Sequence, residues 1–103
     1  MSAKTWQLDD LAAALADGAI VPLPVAEWER LAGSFPLVED HDTGLAGRLL
    51  LVRRPVPGRK AAGWAIVEQP RPQERVVRPL KTAAEARALI ADRMAAYERM
   101  WDG

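Results

Sequence analysis

The chain has 103 residues, half of them hydrophobic, with 14 basic and 14 acidic side chains that cancel to zero. That length and composition imply one folded domain around one modest core and argue against disorder. With no cysteine, disulfide scaffolds, thiolate metal sites and cysteine nucleophiles are excluded.

Asp9, Asp10 and Asp17 interrupt the apolar N-terminal run, and no stretch approaches membrane-spanning length. A cytoplasmic protein with no membrane contact is therefore expected. The charge is unevenly spread, however. Residues 1–45 hold two basic and eight acidic side chains, residues 46–81 nine and two, and residues 82–103 three and four, for net charges of −6, +7 and −1. Either the acidic and basic stretches neutralise one another in the fold, or the basic stretch faces an anionic partner.

Residues 5–16 place Trp6, Leu8, Leu11, Ala12, Leu15 and Ala16 at helical spacing, with Asp9 and Asp10 early, where the helix dipole favours negative charge. Gly18 ends this helix. Across 19–24, Pro22 and Pro24 hold the backbone extended, and Pro24 opens a second helix over 24–32. There Val25, Trp28 and Leu31 turn toward a core, and Gly33-Ser34 stops the helix.

From Phe35 the period changes. Residues 35–38 read as a short extended piece, an edge strand if it pairs, because Pro36 has no donor for a ladder. Asp40, His41, Asp42, Thr43 and Gly44 carry turn chemistry. Residues 48–53, 64–68 and 75–78 read as three strands, separated by a long basic hairpin loop (54–60) and a proline-marked turn (69–73). Connections this short make an antiparallel meander. Residues 49–52 and 65–67 are apolar without alternation, so both faces of the sheet need a cover. One face takes the C-terminal helix. The other falls to the N-terminal helices with Trp6 and Trp28, or to a partner subunit.

Thr82-Ala83-Ala84-Glu85 reads as a capping box, with the Thr82 hydroxyl accepting from the Glu85 amide and the Glu85 side chain reaching back to the Thr82 amide. It opens a helix over 82–101. Ala83, Ala86, Ile90, Met94, Tyr97 and Trp101 form its apolar stripe, widened by Leu89 and Met100. The expected fold is α+β: a three-stranded antiparallel sheet, four-stranded with the 35–38 edge, packed against a long C-terminal helix, with two short N-terminal helices. One domain then divides into a helical pair (1–34), strands (35–81) and the helix (82–101).

Catalytic signatures are thin. The only histidine, His41, stands among Glu39, Asp40 and Asp42 at no recognisable metal spacing, which is the composition of a solvated turn. Phosphate loops, GxSxG and HExxH are absent. No catalytic, metal or cofactor-binding residue is assigned, and the chain is expected not to be an enzyme. The leading expectation is an accessory or protein-interaction domain, contacting another protein or itself as a homodimer through Trp101, Met100, Arg59 and Lys60.

The alternative is a nucleic-acid-binding module in which Arg53, Arg54, Arg59, Lys60, Arg71 and Arg75 contact phosphates and Trp64 stacks on a base. A three-stranded sheet followed by a helix opening Thr-Ala-Ala-Glu-Ala resembles the sheet-plus-helix DNA readers of the integrase-arm and AP2 type, over about half the chain. That resemblance implies DNA contact by the sheet. A groove-reading sheet keeps one face polar, and the apolar run 49–52 departs from that pattern.

Overall fold

The structure is a computed structural model that describes residues 5–44 and 47–102, with side chains through residue 100. Its elements in chain order are α1 (Leu8–Ala16), β1 (Val21–Pro24), α2 (Val25–Leu31) with a 3-10 turn at Ala32–Ser34, β2 (Leu37–Asp42), β3 (Arg48–Arg54), β4 (Gly63–Arg71), β5 (Glu74–Leu80) and α3 (Ala83–Asp102). The strands form one antiparallel sheet in the order β1-β5-β4-β3-β2.

The sheet has five strands, two more than the three read from sequence. Residues 35–38 were expected to add an edge, but β2 runs further, through Glu39, Asp40, His41 and Asp42, which are therefore strand and not turn. Leu37 pairs with Val52 and, after a bulge, Glu39 to Asp42 pair with Leu51 back to Arg48. Charged side chains suit this position, because an edge strand is wet on one flank and its charges oppose edge-to-edge association.

β1 is the second addition, and it comes from the 19–24 crossing, which was expected to be extended but not to pair. Val21 and Leu23 pair with Val77 and Arg75 and are buried, while Pro22 and Pro24 alternate with them. Prolines are compatible with a strand at an edge, where a ladder hydrogen bond is needed on only one side. β4 is also longer than expected, reaching Arg71, so that Pro72 and Gln73 alone make the turn into Glu74. A register shift between Glu68 and Arg71 accommodates Pro70 within the strand.

Both faces of the sheet are covered from within the chain. On one face Val52, Ala65, Val67 and Val77 pack against Leu11 and Leu15 of α1, Trp28 and Leu31 of α2, and Phe35, with Trp6 against the cluster's margin. On the other, Leu49, Leu51 and Ile66 pack against Ala86 and Ile90 of α3, with Trp64, Leu89, Met94 and Tyr97 around them. The alternation of a strand sends Leu49 and Leu51 one way and Leu50 and Val52 the other, so an apolar run of four serves two cores.

Helix ends follow local chemistry. Gly18, at φ +88°, turns the chain out of α1, and the Gly18 and Ala19 amides donate to the Leu15 and Ala14 carbonyls, a Schellman closure. α1 begins at Leu8, later than the expected start. Before it, the Trp6 amide donates to Glu27, and Arg30 donates to both the Glu27 carboxylate and the Trp6 carbonyl, tying the lead-in to α2. At α3 the Glu85 amide donates to the Thr82 hydroxyl at 3.1 Å, as the capping box requires. The Glu85 carboxylate accepts from the Lys81 amide at 3.2 Å instead of from Thr82, so it caps one residue earlier than expected. Among the described residues no helix is long and apolar enough to cross a membrane.

Candidate functional site

The β3–β4 hairpin ends the sheet at the Arg54–Gly63 pair. Two neighbouring arginines, Arg53 and Arg54, point to opposite faces there, as strand alternation demands, and each grips the backbone of β4. Arg53 donates through Nε to the Gly63 carbonyl at 3.1 Å and through Nη2 to Ala62, and its guanidinium carbon lies 4.1 Å from the centre of the Trp64 ring. Arg54 donates through Nε to the Trp64 carbonyl at 2.8 Å.

Gly63 packs closely against the Arg54 side chain. A Cβ on Gly63 would stand 2.8 Å from the Arg54 guanidinium carbon. Arg54 is correspondingly half-buried, with Nη1 enclosed and without a hydrogen-bond partner, and burial lowers its pKa from the ordinary arginine value. Its charge is thus fixed in place with incomplete compensation.

Beyond this pair an open cleft of about 640 Å³ is lined by Arg54, Arg59 and Lys81, with Ala16 at the end of α1 and Val56 and Pro57 in the hairpin loop. Among the described residues no carboxylate lines it. Gly58, at φ +74°, and an Arg59 amide to Val56 carbonyl bond of 3.2 Å shape the loop that presents Arg59 and Lys60. Lys81 joins them because β5 ends with Leu80 opposite Trp64, which delivers the next residue to the hairpin end.

Elsewhere five arginines pair with acids, namely Arg30 with Glu27, Arg48 with Asp40, Arg78 and Arg93 with Glu68, and Arg87 with Glu39, whereas Arg71, Arg75 and Arg99 have no ion pair among the described residues. Among the described residues, Arg53, Arg54, Arg59, Lys60 and Lys81 have no carboxylate within 4 Å. Of the nine basic residues in the 46–81 segment, Arg48 alone pairs with an acid from the N-terminal segment. The expected mutual neutralisation of the two segments therefore stops short of the hairpin end.

Arg71 and Arg75 lie elsewhere. The Arg71–Glu74 pair closes the opposite end of β4, eight residues from Gly63, roughly 27 Å at about 3.4 Å per residue. Arg75 uses Nη1 on the carbonyls of Arg71, Pro72 and Glu74, capping its own turn. The seven residues singled out for nucleic acid thus separate into five at one end and two at the other. Met100 is 78% exposed near the end of α3; the Trp101 side chain lies outside the described residues.

His41 lies on the β2 edge, where its Nε2 is 2.8 Å from Glu39 Oε1, while Arg87 of α3 donates to Glu39 Oε2 at 2.9 Å. The arginine, then the histidine, holds the Glu39 carboxyl below its ordinary pKa. Among the described residues no group of three or more His, Cys, Asp or Glu side chains could hold a metal ion. Glu39 thereby links the sheet edge to α3, and the trio's contacts are accounted for by that link.

Sequence reasoning flagged Arg53, Arg54, Arg59, Lys60 and Trp64 but left Lys81 and Gly63 out of any site. Lys81 carried a signal, in that it closes the basic segment. Gly63 carried none, since its pairing with Arg54 depends on the register. Comparison of the chain with protein-family models, with curated proteins and with solved structures found no match.

Proposed function

We propose that this chain is a cytoplasmic, non-enzymatic protein-interaction domain whose basic hairpin end binds an acidic segment of a partner protein. The observation that carries this reading is the cleft in which Arg54, Arg59 and Lys81 converge with no lining carboxylate among the described residues. Uncompensated charge of one sign in a concavity raises the local concentration of the opposite sign and speeds encounter. Val56, Pro57, Ala61 and Ala62 supply apolar lining between the cations, which suits a peptide mixing acidic and aliphatic side chains. A protein partner is favoured over nucleic acid because Arg53 already covers one face of Trp64, and base stacking needs such a face free.

The test is a fluorescence-anisotropy titration of the whole chain with a labelled deca-glutamate peptide and, separately, with a labelled random DNA duplex. The reading expects the peptide to bind, with affinity falling as salt rises, and the double variant R59E/K60E to lose roughly two- to thirtyfold, from about 0.2–1 kcal/mol for each exposed charge contact. Binding of the duplex at least as tightly as the peptide, with a steep salt dependence, would replace the reading with the nucleic-acid one. Peptide binding that R59E/K60E leaves unchanged would end it.

A further inference from the structure

At the other end of the sheet, on the face covered by α1 and α2, those helices leave a notch of about 220 Å³. Its floor is Leu50, backed by its cross-strand partner Val67, which is only 1% exposed, with Trp28 of α2 beside them. Leu50 is only half-buried, although Leu49 and Leu51 on either side are 2% and 0% exposed. α2 has seven residues and does not reach across it. A small apolar surface therefore remains open, ringed by polar groups of opposite sign on opposite walls.

The sheet wall carries Arg48, Gln69 and Arg75, and the helix wall carries Glu29. Arg48 uses Nη1 on Asp40, and Arg75 uses Nη1 on the carbonyls of its turn. The second terminal nitrogen of each guanidinium has no partner among the described residues, so each retains donors for a carboxylate. Glu29 has no ion pair among the described residues and can accept from an ammonium. An apolar floor with Arg75 and the Asp40-paired Arg48 on one side and Glu29 on the other complements a zwitterion with a hydrocarbon body. The volume, below the roughly 300 Å³ at which sites for drug-sized ligands begin, limits that body to a compact one.

We propose that this notch binds a free α-amino acid with a small aliphatic side chain, its carboxylate held by Arg48 and Arg75, its ammonium by Glu29, and its side chain on Leu50. A peptide C-terminus would offer the same carboxylate and aliphatic group without the ammonium, so the experiment separates the two. It is an amide chemical-shift titration of the whole chain with L-leucine, N-acetyl-L-leucine and isopentylamine. L-leucine is expected to give saturable shifts at Leu50, Val67 and the Trp28 indole, and each half of the zwitterion to bind about tenfold more weakly.

Glu29 and Arg48 are exposed, so E29Q and R48Q are expected to fold with otherwise unchanged spectra. E29Q is expected to weaken L-leucine about tenfold without weakening N-acetyl-L-leucine, and R48Q to weaken both. The proposal is overturned by the absence of saturable shifts with L-leucine at roughly 10 mM, or by equal affinity for L-leucine and N-acetyl-L-leucine.

Discussion

The guanidinium of Arg53 lies over the ring of Trp64, its direct cross-strand partner, at 4.1 Å. The same arginine hydrogen-bonds the Gly63 and Ala62 carbonyls, so it fastens the hairpin end through both side chain and backbone. The contact orders the β3–β4 junction from which the basic loop projects.

Replacing Arg53 by alanine is expected to cost about 1–2 kcal/mol, combining a partly desolvated cation–π contact with the lost hydrogen bonds. Urea unfolding checks this. A loss confined to a few tenths would mean that the ring contact contributes little.

Gly63→Ala separates fold from site. The added Cβ meets the far end of a flexible side chain, so stability should change by less than about 1 kcal/mol while the Arg54 guanidinium moves. The Arg54 Nε–H resonance reports the displacement, because its bond to the Trp64 carbonyl must alter. An unchanged resonance would contradict the packing described here.

The pH dependence follows from Glu39. Its folded pKa lies below its ordinary value of 4.5, so its contribution to stability is present above that value and is lost as pH falls through the lowered one. Melting temperatures of the native chain and Glu39→Gln should therefore differ at neutral pH and converge in acid. A gap that persists unchanged to pH about 2 would show that the Arg87 and His41 contacts are not its source.

Two-sided burial makes Ile66 a strong determinant of stability. It is fully buried between β3 and α3, and Ile66→Ala is expected to cost about 2–5 kcal/mol. Met100→Ala, at an exposed position, should stay within about 0.5 kcal/mol. Comparable losses at both positions, measured by urea unfolding, would indicate that Met100 is covered in solution.

Much of this fold was legible where local and long-range preferences agreed. The α3 stripe, the Thr82 cap and the apolar runs of β3 and β4 each point to one conformation. β1 was obscured because Pro22 and Pro24 signal an interruption, and their tolerance depends on an edge location that only the β5 pairing supplies. β2 was obscured because Glu39, Asp40, His41 and Asp42 have turn composition, whereas pairing with Leu51 back to Arg48 holds them extended. The cleft gathers Ala16, the hairpin residues Arg54 and Arg59, and Lys81 from three places along the chain, a convergence that depends on strand order and that no local window contains.

The most direct measurement of the functional account is an amide and side-chain chemical-shift map of the whole chain titrated with deca-glutamate. Saturating shifts concentrated at Arg54, Arg59, Lys60 and Lys81, with Arg71 and Arg75 unmoved, are the predicted result. Shifts spread evenly over all the exposed cations, or gathered at Arg71 and Arg75, would contradict it.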